Sequence, residues 1–159
     1  MGECPGDDAA LRVWAAFLRT HAALVDPLET ELLEAAGLPL AWYDVLAQLA
    51  SAPEGRLRMQ ELAAAIVLSK SGLTRLVDRL EHAGLVTRVS CPSDRRGTFA
   101  AITATGRRAL GKAQPSHARG VREHFASRLT ADELATLESA LAKIGAGVGR
   151  STHAGATLI

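Results

Sequence analysis

Aromatic residues are scarce in this sequence: Phe, Trp and Tyr together make up 4% of its 159 residues. The hydrophobic fraction still reaches 48%, so a core has to be built mainly from Leu, Ala and Val. Leu and Ala are good helix formers, and the length suits one compact domain, or one lobe with a helical extension. The composition therefore favours a mainly α-helical fold.

Long apolar runs are also missing, and none approaches the roughly 18 residues that a membrane-spanning helix requires. The first ten residues, MGECPGDDAA, contain neither the basic nor the apolar segment of a secretory signal peptide. We therefore expect a cytoplasmic protein with no membrane partner.

Cysteine is rare too, because the sequence contains only Cys4 and Cys91. Two such cysteines indicate neither a disulfide framework nor a cysteine-based metal site. The sequence also lacks a G-x-S-x-G turn, a phosphate-binding loop, a His-Glu-x-x-His helix and a pair of catalytic carboxylates. We therefore predict a protein that is not an enzyme and that holds no metal or cofactor.

Net charge is only +1, but the charges are unevenly distributed. Residues 1–50 contain two basic and eight acidic side chains, whereas residues 51–112 contain eleven basic and five acidic ones. A local basic patch, rather than the overall charge, is what attracts nucleic-acid phosphates. The middle of the chain is therefore the candidate nucleic-acid surface.

Residues 60–105 contain the pattern around which the chain is organised. Two helical segments, QELAAAI and KSGLTRLVDRLEHAG, are separated by the short turn VLS. Two strand-like segments, LVTRVSC and TFAAIT, then flank the basic hairpin tip PSDRRG. Two helices joined by a tight turn form a helix-turn-helix, whose second helix can lie in a DNA major groove. The basic hairpin after it predicts a wing.

The second helix of this pattern has one apolar side, formed at helical spacing by Leu73, Leu76, Val77 and Leu80. Its other side and its N-terminal turn carry hydroxyl and cationic groups, which suit base edges and phosphates. The predicted DNA contacts are Ser69, Lys70, Ser71, Thr74, Arg75 and Arg79. On an isolated helix these groups would indicate only a solvated face, but the turn and the hairpin favour DNA.

The hairpin tip contains two adjacent arginines, Arg95 and Arg96. Guanidinium groups are attracted to the negative potential of a narrow minor groove, so we predict that both contact DNA. Asp94 is interpreted as a wing brace that pairs with a neighbouring arginine and fixes its direction. The alternative is an ordinary polar hairpin turn.

Helices are also predicted before this region. Residues 8–36 have apolar residues at a helical period, with Gly37 as the stop and Pro27 as a kink or a division. A second helix follows over residues 40–49, and a short strand over residues 56–59. The predicted buried residues of the second helix are Trp42, Val45, Leu46 and Leu49.

After the wing, a long helix is predicted, with Thr103 or Thr105 as its cap and a bend near Pro115. Thr130 and Glu133 form a capping box ahead of a last helix. The last helix has an apolar stripe that comprises Leu134, Leu137, Leu141, Ile144 and Val148. Such a stripe needs a partner, and we expect the first helix, the helix after the wing and the last helix to pack against their copies in a second subunit.

The run DRRGTFAAITATG closely resembles the wing of MarR-type transcription regulators, and LSKSGLTRLVDRLEHAGLVTR resembles their recognition helix and the strand after it. Order and spacing match over roughly residues 8–148, although Ile102 stands where the family usually has Leu before Thr103. The resemblance implies a mainly α fold with a small β-wing. It also implies that residues 40–103 form a winged helix-turn-helix domain that binds double-stranded DNA.

The resemblance further implies dimerisation helices at residues 8–36 and 104–148, and a homodimer that represses transcription from a palindromic operator. An effector usually releases such a protein from DNA, and it often binds between the dimer helices and the winged domain. The matching positions here include Trp14, His21, Trp42 and Asp44, and Arg88 resembles an arginine of urate-responsive members. They indicate a small phenolic, other aromatic or anionic effector. The alternative is that the two Trp are core residues and Asp44 is a cap or brace.

Three other hypotheses stay open. A redox-responsive regulator would use Cys91, because the basic wing would lower the pKa of its thiol. A metal-responsive regulator would use His117 and His124, which lie two helical turns apart. A winged helix could also bind a protein partner instead of DNA. Phosphate contacts weaken steeply with salt, so the salt dependence of duplex binding separates the last hypothesis from the others.

Overall fold

The computed structural model describes the backbone of residues 5–66, 70–91 and 94–147, and the side chains of residues 8–66, 71–90 and 98–146. The helices and strands of these residues are α1 Pro5–Ala36, α2 Leu40–Ser51, β1 Arg56–Arg58, α3 Met59–Ala65, α4 Lys70–His82, β2 Val86–Cys91, β3 Asp94–Ile102, α5 Ala104–His124 and α6 Ala131–Gly147. The mainly α fold with a small β-wing is confirmed. Among the described residues, no helix is long and apolar enough to cross a lipid bilayer.

The three strands form one antiparallel sheet in the order β1-β3-β2, so the return strand of the wing lies between the other two. Leu57 of β1 pairs with Ala100 of β3, and Val86 of β2 pairs with Ile102. Leu57, Val86 and Ala100 are all buried, because side chains of one face alternate along a strand. One face of the sheet therefore packs on the core and holds the wing against the helices.

The core is formed by α2, α3, α4, the sheet, the C-terminal half of α1 and part of α5, which contributes Leu110 and Ala113. Its largest fully buried side chains are Leu32, Val45, Leu46, Leu49, Leu62, Leu73, Val77, Leu80 and Val86. In α1, Leu32 is buried, whereas Leu11, Val13 and Trp14 near its other end are exposed. One half of α1 thus packs within this chain, and the other half leaves apolar side chains on the surface.

Two helices continue through a proline. Helix α1 begins at Pro5, slightly earlier than predicted. It continues unbroken through Pro27, so of the two alternatives for this proline, a kink or a division, the division was wrong. Proline removes one backbone N–H donor, and a helix of 32 residues that packs along α5 retains enough other bonds to continue. Helix α5 likewise includes Pro115 and ends at His124, and a single 3₁₀ turn follows.

The predicted burial of α2 was wrong at one position. Trp42 packs against the core but stays partly exposed, whereas its neighbour Tyr43 is only 2% exposed. The ring of Tyr43 lies 4.3 Å from the ring of His117 on α5, measured between centroids. A contact with a helix more than 70 residues later along the chain decides this burial, and the periodicity of α2 alone does not reveal it.

Candidate nucleic-acid interface

Helix α4 is fixed by its apolar side. Leu73, Leu76, Val77 and Leu80 are between 0% and 2% exposed, which confirms the predicted buried stripe. Because these residues recur at three- and four-residue spacing, the opposite side of the same helix must face outward. The core therefore determines which side chains α4 presents to solvent.

The outward side of α4 carries hydroxyl and cationic groups. Ser71, Thr74, Arg75 and Arg79 are all exposed. Arg75 and Arg79 are four residues apart and so lie on one face, about 6 Å apart along the helix axis. Ser69 lies outside the described residues, as does the side chain of Lys70, although the backbone of Lys70 begins α4. The described part of α4 thus presents the hydroxyl and guanidinium groups that were predicted to contact DNA.

Arg88 of β2 fixes the wing to α4. Its guanidinium donates to Asp78 Oδ1 at 2.6 Å, to Glu81 Oε2 at 2.5 Å and to the backbone oxygen of Thr74 at 3.5 Å. The backbone N–H of Arg88 donates to Glu81 Oε1 at 2.9 Å. Burial by itself would lower the pKa of Arg88, but the bonds with Asp78 and Glu81 outweigh it and raise the pKa. The single positive charge of Arg88 also offsets part of the negative charge that these two carboxylates place on α4.

The wing is a two-stranded hairpin with a bulge at its tip. Ser90 pairs with Thr98, but the next residue, Cys91, pairs with Asp94. Strand β3 therefore begins earlier than predicted, and three residues, 95–97, are extra on its side of the ladder. A bulge redirects the side chains of the strand that contains it. The side chains of Asp94, Arg95 and Arg96 lie outside the described residues, so their predicted contacts stay predictions.

Two further arginines lie at the base of the wing. The guanidinium carbons of Arg56 and Arg58 are each 5.3 Å from the ring centroid of Phe99 on β3, within the range of a cation–π contact. Arg56 also pairs with Glu54. These two arginines are not among the DNA contacts predicted above. The alternation Arg-Leu-Arg in a strand, which places both arginines on one face, is the signal that could have indicated them.

The junction between the wing and α5 is closely packed. Thr103 caps α5, because its Oγ1 accepts from the backbone N–H of Gly106 at 3.0 Å. The same hydroxyl donates to the backbone oxygen of Gly84 at 2.7 Å. A Cβ at Gly106 would lie 2.1 Å from the backbone oxygen of Leu85, so glycine is required there. The cap and the close contact together explain the Thr-x-x-Gly spacing after the wing. Of the two predicted caps, Thr103 and not Thr105 is the one observed.

The five predicted effector positions have different surroundings. Trp14 is exposed and stacks on Phe17 of its own helix, with ring centroids 5.9 Å apart. His21 is also exposed, and Trp42 is partly buried. Arg88 is bound to α4, as described above. Trp14, Trp42 and Arg88 thus contact different parts of the structure: Phe17 of α1, the core and α4.

Asp44, the remaining effector position, lies near a carboxylate of α1. Desolvation and the charge of Glu29 raise the pKa of Asp44 to about 6. Glu29 Oε2 accepts from the backbone N–H of Leu40 at 2.6 Å. Glu29 therefore caps α2, a helix with no side-chain cap of its own. Asp44 is nevertheless exposed, so its carboxyl group is mainly ionised at pH 7.

Comparisons with known proteins agree with this geometry. The model of the MarR family matches residues 36–97. The multiple antibiotic resistance protein MarR of Escherichia coli strain K12 is 30% identical over 119 residues, which are 75% of this chain and 81% of that protein.

Two solved structures from Streptomyces coelicolor are also similar. The MarR family transcriptional regulator Sco3205, in complex with DNA, has a TM-score of 0.81 and 36% identity, covering 89% of this chain and 92% of that one. AbsC, another MarR family transcriptional regulator, has a TM-score of 0.79 and 34% identity, covering 93% and 97%. The chain therefore belongs to the MarR family of transcription regulators, which are DNA-binding proteins and not enzymes.

Proposed function

We propose that this protein represses transcription by binding a short palindromic operator as a homodimer, and that a small-molecule effector releases it. The observation that carries the DNA-binding part is the division of α4 into two sides. Its apolar side is buried, and Arg75 and Arg79 are exposed on the other. The Sco3205 structure, which contains DNA, supports the same use of this fold.

In the proposed complex, α4 lies in the major groove. Ser71, Thr74 and Arg75 in its N-terminal half face base edges, since hydroxyl and guanidinium groups bond to these edges. Arg79, further along, contacts the phosphate backbone. Arg95 and Arg96 at the wing tip enter the neighbouring minor groove.

The proposed dimer follows from apolar surface that one chain leaves exposed. Leu11 and Trp14 of α1 are 66% and 58% exposed, and Leu141 and Ile144 of α6 are 43% and 62% exposed. Exposed apolar surface at helical spacing marks association sites. A second copy would cover it through a twofold interface. Such a dimer would place two α4 helices about 34 Å apart, which is the spacing of successive major grooves.

The proposed effector site lies where α1, α2 and α5 meet. Burial lowers the pKa of His117, so its imidazole is mainly neutral at pH 7. Its Nδ1 is buried and has no hydrogen-bond partner in the described part of the chain. The phenol ring of Tyr43 lies against it, and Asp44 is adjacent along α2. These groups, together with Trp42, suit a small phenolic or other aromatic effector.

Selection of bound duplexes from a random DNA pool, using the full chain, tests the operator. We expect the selected sequences to contain two inverted half-sites about one helical turn apart, because a twofold dimer reads DNA symmetrically. Selected sequences without inverted repeats would contradict the palindromic operator. Release of the selected duplex by a library of small aromatic acids and phenols then tests the effector.

The dimer is tested separately by light scattering on Ile144→Glu. A charge placed in the apolar stripe of α6 should lower the molar mass towards that of one chain. Ser139→Glu is the matched control, because Ser139 is exposed and lies on the opposite side of α6 from this stripe. A dimeric Ile144→Glu protein, or equal dissociation of both variants, would show that this face is not the interface.

A further inference from the structure

Three potential metal ligands meet at the junction of α1 and α5. One ligand atom each from Glu31 of α1 and from Glu123 and His124 of α5 lie within 4.8 Å of one another. The sequence separation between Glu31 and His124 is 93 residues, so no local spacing motif could have indicated the cluster. Histidine and carboxylate side chains together are typical ligands of zinc and of similar divalent metals.

The carboxylate of Glu31 has an unused ligand atom. Its Oε1 lies 2.5 Å from His124 Nε2. Its Oε2 is buried and has no hydrogen-bond partner among the described residues. A buried acceptor without a partner is unfavourable by the free energy of its desolvation. This oxygen lies beside Gly120, and a cation bound by the Glu31 carboxylate would place positive charge near it.

The charges around the cluster also favour a cation. Glu31 and Glu123 contribute two carboxylates, and Arg119 places its Nε 4.0 Å from Glu123 Oε1. Both of these side chains are more than half exposed, and ion pairs of this kind contribute little. The two carboxylates therefore favour a bound cation at the junction.

We propose that Glu31, Glu123 and His124 form a binding site for a divalent transition metal of the zinc class. One imidazole nitrogen and two carboxylate oxygens would be the ligands, and water would complete a tetrahedral shell. Metal–ligand bonds of about 2.1 Å place tetrahedral ligands about 3.4 Å apart. The contact between Glu31 and His124 opens slightly to meet this distance, and Glu123, which is exposed, moves inward.

Metal bound at this site joins α1 to α5. Residues of the two helices are already in close contact here, because Gly120 of α5 leaves room for the side chains of Leu28 and Glu31. A ligand that binds only the folded protein raises its stability in proportion to the logarithm of ligand concentration. At a free metal concentration about 100 times the dissociation constant, we expect the midpoint of thermal unfolding to rise by roughly 5–10 °C.

The test uses the full chain after chelator treatment, with Zn²⁺ measured by competition against a coloured chelator and Co²⁺ as the spectroscopic probe. We expect one metal ion per chain and a Co²⁺ spectrum of nitrogen and oxygen ligands. Glu31→Gln and His124→Gln should each weaken Zn²⁺ binding by at least about 10–100-fold, the loss typical of removing even an outer partner of a ligand. Glu123→Gln should also weaken it, and an exposed position keeps this variant folded.

Glu138→Gln and His82→Gln are the matched controls, because both residues are exposed on other helices. These controls should bind Zn²⁺ with the affinity of the original chain. The proposal is overturned if the cluster variants bind as tightly as the controls or if Zn²⁺ leaves the unfolding midpoint unchanged. A thiolate-to-cobalt charge-transfer band would also overturn it, because such a band places the metal on cysteine.

Discussion

Replacing Arg88 by Ala tests whether charge fixes the wing to α4. The change removes the guanidinium contacts with Asp78, Glu81 and the Thr74 backbone oxygen. The bond from the backbone N–H of residue 88 to Glu81 can remain. Two carboxylates on α4 would then lose their cation, so both the stability of the protein and its affinity for DNA should fall.

The magnitude follows from the exposure of the three side chains. Arg88 is 27% exposed, Glu81 36% and Asp78 55%. A fully exposed ion pair contributes about 0–1 kcal/mol, and a hydrogen bond to a charged group about 1.5–3 kcal/mol. The arginine lies between these limits, so we expect the free energy of unfolding to fall by about 1–3 kcal/mol. Arg88→Lys keeps the charge but not the planar fork, so its loss should be smaller.

Urea unfolding at one fixed protein concentration measures this change, since the stability of an oligomer depends on concentration. Arg122→Ala is the control, because it removes the same charge from an exposed position on α5 and should change stability by no more than about 0.5 kcal/mol. If Arg88→Ala lowers the free energy of unfolding no more than the control does, the contacts of Arg88 do not fix the wing to α4.

Three other substitutions have definite expected outcomes. Gly106→Ala places a Cβ 2.1 Å from the Leu85 backbone oxygen and should lower the free energy of unfolding by about 2–4 kcal/mol. Gly111→Ala is the control in the same helix, because its Cβ meets no atom within 4 Å. This control should raise the free energy of unfolding by up to about 1 kcal/mol. Asp44→Asn should raise stability at pH 7 by up to about 1 kcal/mol after solvent screening. A raised pKa means that the folded protein binds the proton more tightly than the unfolded chain does. The stability gained by Asp44→Asn therefore grows as pH rises from about 4 to 6 and is absent below pH 4. Urea unfolding midpoints measured across this pH range check it. Thr130→Ala removes the cap of α6 and should cost about 1 kcal/mol, measurable by thermal unfolding.

Local patterns predicted α4 and the strands because their causes are local. The buried stripe from Leu73 to Leu80 sets a helical period within thirteen residues, and the alternation around Leu57 sets a strand. The capping box of Thr130 and Glu133 is also local, and its two backbone bonds are present at 2.8 and 3.3 Å. Short-range periodicity and capping chemistry were enough for these elements.

The features that were missed depend on residues far apart in the sequence. Tyr43 rather than Trp42 is buried because His117 of α5 covers it. Arg88 was predicted at an effector site, and its contacts with α4 could not be inferred before the wing was placed beside that helix. The meeting of Glu31 and His124 likewise requires α1 and α5 to pack together. Long-range packing, not local preference, determines these contacts.

The salt dependence of binding to the selected operator, measured by fluorescence anisotropy, tests the DNA-binding role of α4 most directly. We expect affinity to fall steeply with salt, with a slope of about 0.9 for each phosphate contact on a logarithmic plot. Arg79→Ala should weaken binding and reduce this slope by about 1, whereas Arg122→Ala should leave both unchanged. Equal behaviour of these two variants, or no binding at low salt, would contradict the account.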